Sequence, residues 1–150
     1  MRVAIIGNYP WNGAHIKGGV QAAFSYLVKG LNQIEGLQLH ILTMAGNPSL
    51  VGEQKLKNGT TLHLLPSLPR FELAWSYRTY RAYLQDSLSQ IQPDVVHAQD
   101  ATEHAYAALK VGYPTIITVH GIRREDSRHI GSIIKRARNQ VHSRLRARND

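Results

Sequence analysis

The sequence predicts an α/β domain built on a parallel sheet with flanking helices. Three observations carry that reading. Short apolar runs bounded by glycine or proline recur along the chain. Segments with apolar residues three and four apart alternate with those runs. Strands that alternate with helices close into a parallel sheet through right-handed crossovers. The 150 residues make about one domain, and no repeat, low-complexity tract or linker divides them.

Arg2 to Gly7 is a short apolar run ending in glycine and reads as a buried strand. Asn8 to Lys17 is a loop rich in Asn, Gly and Pro. From Gly19 the spacing turns helical, with Val20, Phe24, Leu27, Val28, Leu31 and Ile34 on one stripe and Gly36 as the stop. Leu37 to Leu42 is a second strand. Glu53 to Lys57 and Thr60 to Leu65 flank Asn58-Gly59, a strong hairpin signal, and Pro66 and Pro69 close that unit. Leu73, Tyr77, Tyr80, Leu84, Leu88 and Ile91 predict one long amphipathic helix. Asp94 to His97 is a short buried strand, Ala101 to Lys110 a small alanine-rich helix, and Pro114 to His120 a strand dense in Thr, Ile and Val. Ile130, Ile133, Ile134, Ala137, Val141 and Leu145 predict a last helix over about 127–147, with most basic residues on its other face.

Composition narrows the class. Hydrophobic content of 43% fits a globular protein, and no apolar run approaches a membrane span. The first residues read as a strand, not as a secretory signal. Cysteine is absent, which excludes thiol chemistry and suits the cytoplasm. The net charge of +8 is uneven, because residues 121–150 hold nine Lys/Arg against three acids. Such a tail fits an anionic partner, a membrane surface among them, or a solvated helix face whose partner lies elsewhere. The last helix has no Trp or Phe for deep insertion, and no motif supports nucleic-acid binding.

Two places could carry chemistry. Gly18-Gly19 sits where the first strand's loop becomes a helix. Glycine there lets backbone approach a ligand, and the helix start offers free N–H groups to an anion. An ordinary tight turn explains the same pair. The stretch matches neither the dinucleotide fingerprint nor the P-loop. The second place is Thr118-Val119-His120-Gly121. His120 ends an apolar strand, and His97 ends the strand before it. Open α/β sheets bind ligands at that edge, where an imidazole can hydrogen-bond a hydroxyl or phosphate or exchange protons. A local structural bond is the alternative for each ring. Nothing in the spacing supports a metal site, a serine triad or a glycosidase carboxylate pair. His15, His40, His63, His104, His129 and His142 read as surface or strand residues. Packing is the better reading for Trp75 and Tyr83.

In order, Met1-Arg2-Val3-Ala4-Ile5, Tyr9-Pro10, Gly18-Gly19-Val20, Pro93-Asp94-Val95-Val96-His97 and Pro114 to Gly121 resemble the N-terminal domain of GT-B fold, retaining family 4 glycosyltransferases. The resemblance covers residues 1 to about 123. It implies a Rossmann-like acceptor-side domain over 1–150 and transfer of a sugar from a nucleotide-sugar to an acceptor hydroxyl with retention. It implies that Gly18 and Gly19 meet the donor diphosphate and the acceptor, that His120 acts at the donor sugar, and that His97 and Gly121 border the cleft. No metal or other cofactor is expected. The C-terminal donor-binding domain, with its acidic E-x7-E motif and basic residues, is absent from this stretch, so the chain alone is expected to be inactive. The polar loop with His15 and Lys17 departs from the family and leaves the acceptor open. A cytoplasmic site is expected, with the basic helix able to meet an anionic membrane. The alternatives are a standalone module for a small phosphorylated ligand or an anionic surface, and a nucleotide-sugar epimerase of the same fold.

Overall fold

In a computed structural model, the described residues are 1–11 and 15–121. They form six strands and three α-helices. The elements are β1 (Arg2–Ile6), α1 (Gly19–Leu31), β2 (Gln38–Met44), β3 (Gly52–Lys55), β4 (Thr61–Leu65), α2 (Arg78–Ile91), β5 (Val95–Gln99), α3 (Glu103–Leu109) and β6 (Thr115–Thr118), with a 3-10 turn at Pro48–Leu50. They make one sheet in the order β3-β4-β2-β1-β5-β6. Every neighbouring pair is parallel except β3 with β4. The helix expected near 127–147 lies outside the described residues, as do His129 and His142.

The order has a physical reading. From β1 the chain builds outward through β2 to β4 on one side, then returns to lay β5 and β6 on the other. The direction therefore reverses between β1 and β5. At such a reversal the connections part on opposite faces and leave a crevice at the strands' carboxyl ends.

Side chains alternate between faces along each strand. On one face Val3, Ile5, Leu39, Ile41, Leu62 and Leu64 pack against Phe24 and Val28 of α1. On the other, Ala4, Ile6, Leu42, Val96 and Ala98 pack against Tyr80, Leu84, Leu88 and Ile91 of α2 and the alanines of α3. Each fully buried Ile or Leu contributes about 1.5–3 kcal/mol. At the amino edge Arg2 ties the layers together. Its backbone N–H donates to Asp94 Oδ2 at 2.6 Å, its Nε to Gln38 Oε1 at 3.1 Å, and one terminal nitrogen to the Ile91 carbonyl.

The hairpin is present, with Gly59 at φ +86. The Leu56 N–H donates to the Thr60 carbonyl at 2.9 Å, and Asn58 Oδ1 accepts from Thr60 N–H at 3.2 Å. The left-handed backbone at Gly59 is the reason glycine follows Asn58.

Several expectations need correction. The helix stripe drawn from Leu73 begins at Arg78. Residues 70–77 instead form successive tight turns, such as Ala74 N–H to the Phe71 carbonyl at 2.9 Å. Tyr77, Ser76 and Phe71 have positive φ, which breaks the helical ladder. Leu73 and Tyr77 still pack on the core. Val20 and Ile34 stand on the exposed part of the first helical stripe, and Ile34 lies beyond α1. His104 is neither a surface nor a strand residue. It lies in α3 at 1% exposure, and its Nδ1 shares a hydrogen bond of 2.7 Å with the Tyr80 hydroxyl. Burial first, then Glu103, pushes the Tyr80 phenol well above its ordinary pKa, so it keeps that proton. Trp75 is exposed, against the packing reading, whereas Tyr83 is half-buried.

Candidate functional site

The site starts at β1. Gly7 follows the strand directly and is buried. A Cβ there would lie 2.9 Å from Gln99 Cβ and 3.0 Å from the Phe24 ring. Only glycine lets β5 and α1 close on the end of β1 at this distance. The reversal point is thus sealed beneath by Gly7, and Gln99 is its floor on the β5 side.

Gln99 and His97 are two apart on β5 and therefore share a face. Gln99 pairs in register with Thr118 of β6, and His97 with Ile116. The His97 pKa is lowered, first by burial and then by the charge of His120. A neutral His97 has one bare nitrogen, and Nε2 is that one because the Gln99 amide –NH2 faces it. That nitrogen accepts from the Thr118 hydroxyl at 2.7 Å and from the Gln99 amide at 3.0 Å. The other end of the same carboxamide, Oε1, accepts from His120 Nε2–H at 2.8 Å. The result is a continuous chain from Thr118 through His97 and Gln99 to His120.

Gln99 is only 2% exposed, yet both ends of its carboxamide are bonded. A carboxamide cannot ionise, so it fixes which nitrogen of each ring carries the proton. His120 is half-buried and commits Nε2–H to Gln99. Its Nδ1 has no partner among the described residues and is the nitrogen open to a ligand. As a bare nitrogen it accepts from a hydroxyl; when protonated it donates to a phosphate oxygen. Gly121 follows at the same edge, half-buried.

Gly18 and Gly19 begin α1, on the connection that leaves β1. Both are exposed. Gly18 is extended at φ 171, which any residue adopts, and a Cβ on either would meet nothing within 4 Å. The fold itself therefore does not require glycine at these positions. No side chain caps α1, and its first turn holds no acid. Gln21 reaches back to the Lys17 N–H at 2.8 Å. Tyr9 packs edge-on against Phe24, ring centres 5.1 Å apart, and its burial raises its pKa.

His97 and His120 were singled out from the sequence, and the structure links them. Gln99 and Gly7 were not. A usable signal existed, because Gln99 is two residues after His97 and so shares its face. Among the described residues no group of three or more His, Asp or Glu side chains is placed to hold a metal ion. No helix among them is long and apolar enough to cross a membrane.

The sequence profile described as Glycosyltransferase Family 4 matches residues 17–148. The chain belongs to that family. No curated protein sequence matches it significantly. Among solved structures it resembles sucrose-phosphate synthase from Thermosynechococcus elongatus, at TM-score 0.67 and 12% identity over 93% of this chain. A second structure of that synthase matches at TM-score 0.55 and 11% identity over 85% of this chain and 67% of the other. At these identities the likeness speaks to fold, which is the Rossmann-like, N-terminal half of a GT-B glycosyltransferase. The chain spans 39% of the first synthase structure. In this family 4 chain the linked histidines belong to β5 and the end of β6, within a domain that spans 39% of the first synthase structure.

Proposed function

We propose that this chain is the acceptor-side domain of a glycosyltransferase that moves a sugar from a nucleotide-sugar to an acceptor hydroxyl with retention. The observation that carries the proposal is the Thr118–His97–Gln99–His120 chain at the sheet reversal of a family 4 domain. A ring held by a buried carboxamide is pre-oriented, and pre-oriented polar groups stabilise developing charge without reorganising.

In this reading the bond from the anomeric carbon to the nucleotide diphosphate breaks, and its electron pair leaves with the diphosphate. The acceptor oxygen bonds to the anomeric carbon on the same face. Its proton is then beside the departing phosphate oxygen, which takes it. His120 positions the donor sugar through Nδ1. His97 acts through Gln99 and borders the cleft, as does Gly121. Gly18 and Gly19 bring backbone N–H groups and the positive end of α1 to the diphosphate and the acceptor. Two open glycines that the fold does not demand suit a place kept clear for substrate. The reading needs no metal or other cofactor, because the N–H groups and a donor-binding domain's basic residues would balance the diphosphate.

The test is transfer from labelled nucleotide-sugars. The 150-residue chain alone should give no turnover, and the protein that joins it to a donor-binding domain should transfer. In that protein His120→Ala should lower kcat/KM by about 100-fold or more with its melting temperature kept. Robust transfer by the chain alone would refute the half-cleft. An unimpaired His120→Ala enzyme would remove His120 from the chemistry.

A further inference from the structure

Between β4 and α2 the usual sorting of side chains is inverted. Glu72 is buried at 4% exposure, while Phe71 and Trp75 stand 78% and 63% exposed. Buried polar groups and exposed large apolar ones are the informative departures from normal burial. The turns explain how both occur together. Bonds such as Trp75 N–H to the Glu72 carbonyl at 3.1 Å close the turns that set these residues on opposite sides. Phe71, Ala74, Trp75 and Arg78 face outward, while Leu73 and Tyr77 face the core. Glu72 Oε2 accepts from the Tyr80 N–H of α2 at 3.2 Å, which holds the segment on that helix. Phe71, Ser76 and Tyr77 hold φ of 68, 50 and 52. Such backbone persists only where its surroundings over-determine it. The display of both aromatics is therefore built in.

The exposed charge within residues 70–78 is of one sign. Arg70 and Arg78 are exposed and flank the aromatics, and Arg81 lies one turn into α2. Two arginines and no acid in the first turn of a helix oppose its dipole. Trp75, Arg78 and Arg81 line one open hollow of about 590 Å³. Phe71, Ala74 and Tyr77 line another of about 480 Å³, together with the glutamates Glu72 and Glu103. Ala74 is shared by both, so aromatics and arginines form one continuous surface.

We propose that this surface docks on an anionic lipid bilayer. Phe71 and Trp75 would enter the interface, and Arg70, Arg78 and Arg81 would meet headgroup phosphates. Aromatic rings flanked by cations are suited to that boundary, apolar on one side and anionic on the other. A second copy of this chain fits less well, because it would set arginines against arginines. Its residues, between 70 and 81, are not among the basic residues of 121–150. It follows the carboxyl end of β4, the sheet edge that also carries His97 and His120. The inference stands apart from the glycosyl-transfer reading, and failure of either leaves the other intact.

The test is vesicle binding by the whole chain, with phosphatidylcholine alone and with added phosphatidylglycerol. In a Trp11→Phe background Trp75 is the sole tryptophan. Its emission should shift to the blue on anionic vesicles and be quenched by bromine-labelled acyl chains. Phe71→Ser with Trp75→Ser should weaken co-sedimentation about tenfold or more, with circular dichroism and melting unchanged. Arg70→Gln with Arg78→Gln should do so on anionic vesicles on the order of tenfold. Vesicle binding without quenching of Trp75, and undiminished in the double serine variant, would assign binding to residues 121–150 and overturn the proposal. Absence of binding would overturn it too. So would a dimer without vesicle affinity that the double serine variant dissolves, which would make a second copy the occupant.

Discussion

One row of side chains crosses the sheet from β4 to β6 and changes character at β5. Leu62, Ile41 and Ile5 stand in register and are each fully buried beneath α1. The next places in the row are His97, half-buried, and Ile116, 54% exposed. The backbone ladder is the same on both sides of β1. The difference is what fills it. On the β2–β4 side the row is sealed by Phe24 and Val28, and burial does the stabilising. On the β5–β6 side a polar chain occupies the face, and each bond in it is needed to offset the loss of water. One half of the sheet holds the domain together. The other half spends its buried positions on oriented polar groups, the arrangement expected where chemistry is done.

That contrast can be broken from either side. Phe24→Ala removes the main cover of the apolar half. It should cost about 3–5 kcal/mol, read by urea unfolding, and leave the His97–His120 chain detectable by nitrogen NMR once folded. A cost near zero would mean that α1 is not what seals that half. Gln99→Leu strikes the polar half. It strands two imidazoles and should cost about 1–3 kcal/mol. Its sharper signature is loss of the fixed proton on His120 Nε2, seen as an averaged tautomer. An unchanged tautomer would show that Gln99 does not orient the ring.

The smallest effect is expected from acid. His40 and His63 share a hydrogen bond of 3.0 Å between Nδ1 and Nε2, with rings stacked at 5.3 Å. Burial first, then like charge from His63 and Arg2, lowers the His40 pKa, while Glu53 acts the other way. Burial lowers that of His63, again opposed by Glu53 at 3.8 Å. His97 is lowered as well. Above the ordinary histidine value of 6.5 the rings are neutral in both states and cost nothing. As pH falls through that value the unfolded chain takes up protons that the folded rings resist, so stability falls. Melting temperature should drop on acidification through that range, less steeply in His40→Gln with His63→Gln. A flat profile in the parent chain would contradict the burial of these rings.

Local pattern was enough for much of the domain. The strand from Arg2, the helix from Gly19, the Asn58-Gly59 turn and the strands ending near His97 and His120 all lie where spacing and turn residues put them, because each depends on neighbours within a few residues. The helix start at Arg78 was missed because left-handed backbone at Phe71, Ser76 and Tyr77 has no glycine to announce it. His104 was misread because a buried imidazole needs a partner, and Tyr80 comes from another helix.

By itself, then, the sequence determined most of the described elements and the fold class, and it placed His97 on β5 and His120 just past β6, since periodicity and turn chemistry are local. The tertiary structure alone decided the reversal between β1 and β5, the need for glycine at position 7, and the use of Gln99 as the link between His97 and His120. Those depend on which strands lie side by side. Strand neighbours are chosen by burial summed over the whole sheet, and no short stretch of residues records that sum.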